Sequence, residues 1–162
     1  LSIKPSKPIS SNDFLINSAL SELFISQNQW ERADKIYQSL EKYFPNNPVV
    51  LNNASYVALN IPDYQRAEKL AQRSISLDND QADSLDTLGW IYYKTHRFNE
   101  ALPLFRQALV LSNSDITVKY HLALTLKALN RDNEATKMLV DVVNSNHILS
   151  KEAEALIQNW LN

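Results

Sequence analysis

The chain has 162 residues, 16 Lys and Arg against 18 Asp and Glu for a net charge of −2, one glycine and no cysteine. That balance, with no stretch that concentrates Lys and Arg, excludes the electrostatic footprint of a nucleic-acid binder. The lack of cysteine excludes disulfides, thiolate metal sites and cysteine nucleophiles, and the single glycine argues against turn-rich β architecture and for long helices.

In chain order, residues 1–11, with Pro5, Pro8 and several serines, read as a polar leader or linker that cannot build a helix. The chain opens on Leu1 without a start Met or a signal peptide, which reads as a fragment or a processed form. No apolar run approaches the roughly 20 residues a bilayer span needs, so no direct membrane insertion is expected.

From residue 12 the sequence becomes periodic. Ala33, Ala67, Ala101 and Ala135 follow one another at steps of 34 residues, and Trp30, Tyr64 and Phe98 precede three of them at the same step. A period of this size is one helix–turn–helix unit. It divides the chain into 12–45, 46–79, 80–113 and 114–147, with helices expected at 12–27 and 30–44, 47–60 and 63–77, 81–95 and 98–111, and 115–129 and 132–145. Pro45–Pro48, Asp78–Asp80 and Ser112–Asp115 mark the breaks, since Asn, Asp, Ser and Pro leave one helix and cap the next.

Each repeated position has a packing role. The recurring Ala lies where the two helices of a pair approach, and its expected partners on the first helices are small: Ser21, Ser55, Gly89 and Ala123. Gly89, mid-helix at a cost of about 1 kcal/mol relative to Ala, is expected to allow a close backbone approach. Leu20, Ala54, Leu88 and Leu122, then Phe24, Ala58, Tyr92 and Leu126, should fill the space around it, with Tyr37, Ala71, Phe105 and Leu139 on the second helices. Pro103 falls inside a second helix and should bend it without ending it. Residues 148–162 differ: Ala153, Leu156, Ile157 and Trp160 line one face at helical spacing, as a terminal capping helix requires.

The third unit, Leu85-Asp-Thr-Leu-Gly-Trp-Ile-Tyr-Tyr93 followed by Phe98-Asn-Glu-Ala-Leu-Pro-Leu-Phe105, resembles the tetratricopeptide repeat consensus. The resemblance implies an all-α, right-handed superhelical solenoid of four helix pairs plus the capping helix. Asn17, Lys119 and Asp132 depart from the pattern in the outer repeats. Leu51-Asn-Asn-Ala, Asp86 to Tyr93, Tyr120-His-Leu-Ala and the final Ser-Lys-Glu-Ala-Glu-Ala-Leu helix are similar to the C-terminal part of bacterial repeat proteins associated with exopolysaccharide production and PEP-CTERM/exosortase sorting. That likeness implies a periplasmic or envelope-associated scaffold, with a cytoplasmic location as the alternative.

No catalytic constellation is present. His96, His121 and His147 lack the i, i+4 spacing of a helical metal site and read as surface or packing histidines. No glycine-rich loop exists to hold a phosphate, so no enzyme activity, metal or cofactor is expected. The resemblance places the first helices along a concave groove, and Asn52, Asn53, Tyr56, Asp86, Trp90, Tyr93, Lys94, Tyr120 and Lys127 are its candidate peptide-binding residues. Trp and Tyr are strong anchors because they offer large area at small entropy cost. Asn53 matches the asparagine by which chaperone-adaptor repeats contact a peptide backbone, but Ser18, Glu22, Thr117 and His121 stand where their basic residues would be. A clamp for an acidic C-terminal tail is therefore rejected. The expected partner is a protein or a partly apolar peptide; the alternative is a structural spacer or self-assembling unit, a homo-oligomer with an idle groove.

Overall fold

The computed structural model describes residues 11–161. They form α1 (Ser11–Ser26), α2 (Trp30–Tyr43), α3 (Pro48–Asn60), α4 (Tyr64–Leu77), α5 (Ala82–Lys94), α6 (Phe98–Leu111), α7 (Ile116–Ala128), α8 (Asp132–Val143) and α9 (Ser150–Leu161), with no strand among the described residues. Each helix begins and ends within two residues of the bounds expected from the 34-residue period. The leader expected over residues 1–11 lies outside the described residues except for Ser11, which opens α1. Two compact units divide the chain between Asp78 and Asn79, the first holding α1–α4 and the second α5–α9.

Helix starts follow from local chemistry. Asn47 accepts a bond from the Val50 N–H at 3.1 Å, with Pro48 in the first turn where its missing donor costs nothing. Asp63 caps α4 through Arg66, and Asp115 caps α7 through Thr117 and Val118. The first helices end in a common way. The amides of Gln29, Asp63, Arg97 and Arg131 bond back to the carbonyls of Phe24, Ala58, Tyr92 and Leu126 at 2.8–2.9 Å. Three of the preceding residues, Asn28, His96 and Asn130, take φ of 56°, 60° and 58°. These are left-handed caps of the kind usually supplied by glycine.

The first unit closes on Phe24, Ala33, Tyr37, Leu40, Val50, Ala54 and Val57. Over it lies an ionic strap: Arg66 on α4 pairs with Asp34 and, at 3.4 Å, with Glu41, both on α2. In the second unit Tyr120, Ala123, Leu139, Val142 and Ala153 form a core to which Leu156, Ile157 and Trp160 of α9 add. All four recurring alanines are fully buried. Ser55 touches its partner directly, its hydroxyl donating to the Ala67 carbonyl at 2.8 Å.

Two expectations are corrected. The tight approach at Gly89 is to a side chain: a Cβ there would sit 2.8 Å from Phe105 Cε1, and that ring is fully buried. Leu20 does not fill the core. It is 38% exposed, and with Ile16 (64%) and Leu23 (50%) it makes an apolar stripe on α1 that no described residue covers. Their counterparts 34 residues on, Val50, Ala54 and Val57, are buried because α2 covers them. Among the departures from consensus, Lys119 is accommodated by Asp141 on α8 at 2.9 Å. Pro103 lies inside α6, which runs through it unbroken.

Candidate functional site

On the first helices of the second unit, aromatic and charged side chains converge. Trp90 and Tyr93, one helical turn apart on α5, stack with centroids 4.8 Å apart and planes 2° from parallel. His121 reaches across from α7 and stacks on Trp90 at 4.1 Å and 18°. Its Nδ1 lies 2.9 Å and 3.1 Å from the two oxygens of Asp86, which holds the imidazole in place. Lys94 places its ammonium 4.8 Å from the Trp90 ring centre, a contact worth about 0.5–1 kcal/mol at an exposed site. Burial raises the Tyr93 phenol above its ordinary value, keeping it a neutral donor. The result is a half-buried three-ring platform with a cation and a carboxylate at its margins. Such a surface takes an apolar or aromatic side chain by stacking and offers polar groups to the flanking backbone.

Tyr120 and Lys127 are engaged elsewhere in the same unit. Tyr120 is buried and its hydroxyl donates to Glu152 of α9 at 2.6 Å. Burial, then the Glu152 bond and charge, push its phenol well above the ordinary range. Lys127 pairs with Asp132 at 3.1 Å and lies 5.1 Å from the Trp160 ring centre. Both side chains therefore help to seat α9.

In the first unit, Tyr56 stands exposed on α3 with Trp30 of α2 edge-on at 5.8 Å. Asn53 hydrogen-bonds the Tyr37 hydroxyl, which burial drives to a raised pKa against that bond. Asn52 is buried, and its Oδ1 has no partner among the described residues. An unmet buried acceptor of this kind costs about 1–3 kcal/mol unless something donates to it.

His121 is the residue that sequence reasoning left out of the site. It had a signal: Asp86 and His121 are 35 residues apart, one step beyond the repeat, so neighbouring first helices carry them side by side.

Comparisons with known proteins bear on the family and the fold. A family model described as anaphase-promoting complex, cyclosome, subunit 3 matches residues 60–142, and a tetratricopeptide repeat model matches residues 19–47. Human protein O-mannosyl-transferase TMTC1 is 30% identical over 108 residues, 67% of this chain. The chain spans only 12% of that protein's length. Among solved structures, the APC/C hetero-tetramer Cut9–Hcn1 superposes with a TM-score of 0.76 at 24% identity, covering 86% of this chain and 28% of that one. The first repeat domain of Spaghetti (RPAP3), bound to the HSP90 peptide SRMEEVD, superposes with a TM-score of 0.68 at 17% identity, covering 77% and 99%. At these identities the structural likenesses speak for the fold.

Proposed function

This chain belongs to the tetratricopeptide-repeat family, and from that premise we propose that it is a protein-interaction module whose first helices bind a peptide or protein segment. The observation that carries this reading is the Tyr93–Trp90–His121 platform with Asp86 and Lys94 at its edge. The rings are locked against one another before any partner arrives, so little side-chain entropy is lost on binding. Asp86 is paired with His121 and fixes the imidazole that completes the platform. The proposed function is accordingly binding. Tyr56 is a separate exposed aromatic on α3 of the first unit and a second candidate contact for the partner.

The partner's segment is partly apolar or aromatic, and the absence of the clamp's basic residues argues against an acidic tail. Residues shared with exopolysaccharide-associated repeat proteins favour a bacterial envelope scaffold, which detection of the protein in the membrane and periplasmic fractions of its source cells would test.

The test of the platform is affinity capture with wild type, Trp90→Ala and Tyr56→Ala, followed by titration of the captured partner. Truncating Trp90 should weaken binding by about tenfold or more, the loss typical of a central aromatic anchor. Identical captured partners and equal affinities would remove the platform from the binding site.

A further inference from the structure

The second unit carries a groove that the aromatic platform does not use. It lies between α6 and α8 over α7, with a volume of about 410 Å³. Leu122 and Leu126 make its floor, and Leu109, Val110 and Met138 its apolar walls. Val110 at the mouth is 81% exposed. The volume and the lining fall within the range of small-molecule sites.

The equivalent place in the first unit is built differently. Two repeats earlier, the floor positions are Ala54 and Ala58, and the ionic strap from Arg66 to Asp34 and Glu41 joins the walls α2 and α4. In the second unit the same register puts Glu134 where Arg66 stands, Leu109 where Glu41 stands and Leu102 where Asp34 stands. The strap cannot form, and apolar surface is left open in its place.

The open site is short. On each helix its lining spans a single turn, from Arg106 to Val110, from Leu122 to Leu126 and from Glu134 to Met138, about 5.4 Å along each axis. A peptide helix seats its anchors from i to i+7, over two turns. Arg106 and Glu134 also meet at 3.4 Å from opposite walls, which bars a long occupant from running on between α6 and α8. The groove therefore fits a compact ligand better than a peptide helix.

Charge at the lip selects the sign of that ligand. Glu134 is held by Arg131 at 2.6 Å and 2.8 Å and reached by Arg106, so its charge is more than neutralised. Asp141, one turn beyond Lys137 on α8, is taken by Lys119 at 2.9 Å. Lys137 itself lines the groove and pairs with no acid among the described residues. We propose that this groove binds a small single-chain amphiphile with a carboxylate head, its chain over Leu122 and Leu126 and its head beside Lys137. The site is independent of the aromatic platform.

The chain's single methionine, Met138, lies in the groove and reports on it alone. The test follows its labelled methyl by NMR while hexanoate, octanoate or decanoate is added below micelle-forming concentrations. The methyl should shift saturably, and affinity should rise by about fourfold per added methylene until the groove is full. Decanoate should bind about threefold or more tighter than decylamine. Val110→Glu and Lys137→Glu alter exposed residues, so both should fold, as circular dichroism would verify. Val110→Glu should weaken decanoate, and Lys137→Glu should reverse the preference in favour of decylamine. Ile16→Glu, at an exposed apolar residue of the first unit, should bind decanoate as wild type does. A Met138 methyl that none of the chains moves would overturn the proposal. So would decylamine binding as tightly as decanoate, affinity unchanged by Val110→Glu, or a preference that survives Lys137→Glu.

Discussion

At the residue scale, two positions out of the ordinary are Gly89 and His96. Replacing Gly89 by Ala sets two effects against each other. The helix interior gains about 1 kcal/mol in propensity. Against this, the new Cβ meets three atoms of the Phe105 ring at 2.8–3.0 Å, and the ring is fully buried and rigid. Overpacking of this kind costs about 1–3 kcal/mol, so clashes should win and Gly89→Ala should lower the urea midpoint. A higher midpoint would mean that Phe105 has room to move. His96 is the converse case. Its φ of 60° suits glycine better than any residue with a side chain, and its ring contributes one edge-on contact with Phe98 at 5.6 Å. His96→Gly should therefore be stabilising by several tenths of a kcal/mol up to about 1, read as a rise in melting temperature.

At the scale of elements, the apolar residues of α9 and α1 meet opposite fates. α9 is seated by Leu156, Ile157 and Trp160, and by the Tyr120–Glu152 hydrogen bond. That bond requires a protonated phenol, and folding raises the Tyr120 pKa above its ordinary 10.0. A raised folded-state value means that its stabilisation is fully present below about pH 10 and is lost as pH climbs beyond it. Amide exchange in α9 should accelerate disproportionately above pH 10 in wild type. In Tyr120→Phe, less stable by about 1 kcal/mol at neutral pH, that extra acceleration should be absent. An unchanged alkaline profile in the variant would show that other tyrosines dominate. On α1 the equivalent apolar stripe is uncovered, so Leu23→Ala should cost little in the monomer. Leu40→Ala, in the closed core of the same unit, should cost about 2–5 kcal/mol by urea denaturation.

At the scale of the whole molecule, stability is distributed by unit, as expected of repeat chains whose helices touch mainly their neighbours. Leu40 belongs to the core of the first unit and Leu139 to that of the second. Leu40→Ala should loosen amide protection mainly in α1–α4, and Leu139→Ala mainly in α5–α9. Equal loosening everywhere after either change would indicate a single cooperative block. Function is distributed in the same way. The aromatic platform and a groove lined by Leu122 and Leu126 lie in the second unit, whereas the ionic strap of Arg66 lies in the first.

The 34-residue period by itself determined the number, length and pairing of the helices in residues 12–147, because small residues must recur wherever two helices touch. It also identified Trp90, Tyr93, Asp86 and Lys94 as neighbours on one helix face, since turns of a helix carry i, i+3 and i+4 together. The rest was decided by tertiary structure. Leu20 has the sequence character of a core residue, but burial requires a second surface, and among the described residues α1 has none. His121 read as an ordinary packing histidine until α7 was laid beside α5, where Asp86 and Trp90 claim it. A groove of about 410 Å³ between α6 and α8, over Leu122 and Leu126, is equally hidden in sequence. It exists because Glu134 and Leu109 cannot make the strap that Arg66 and Glu41 make, and that difference between two equivalent positions acquires meaning only once their helices are packed side by side.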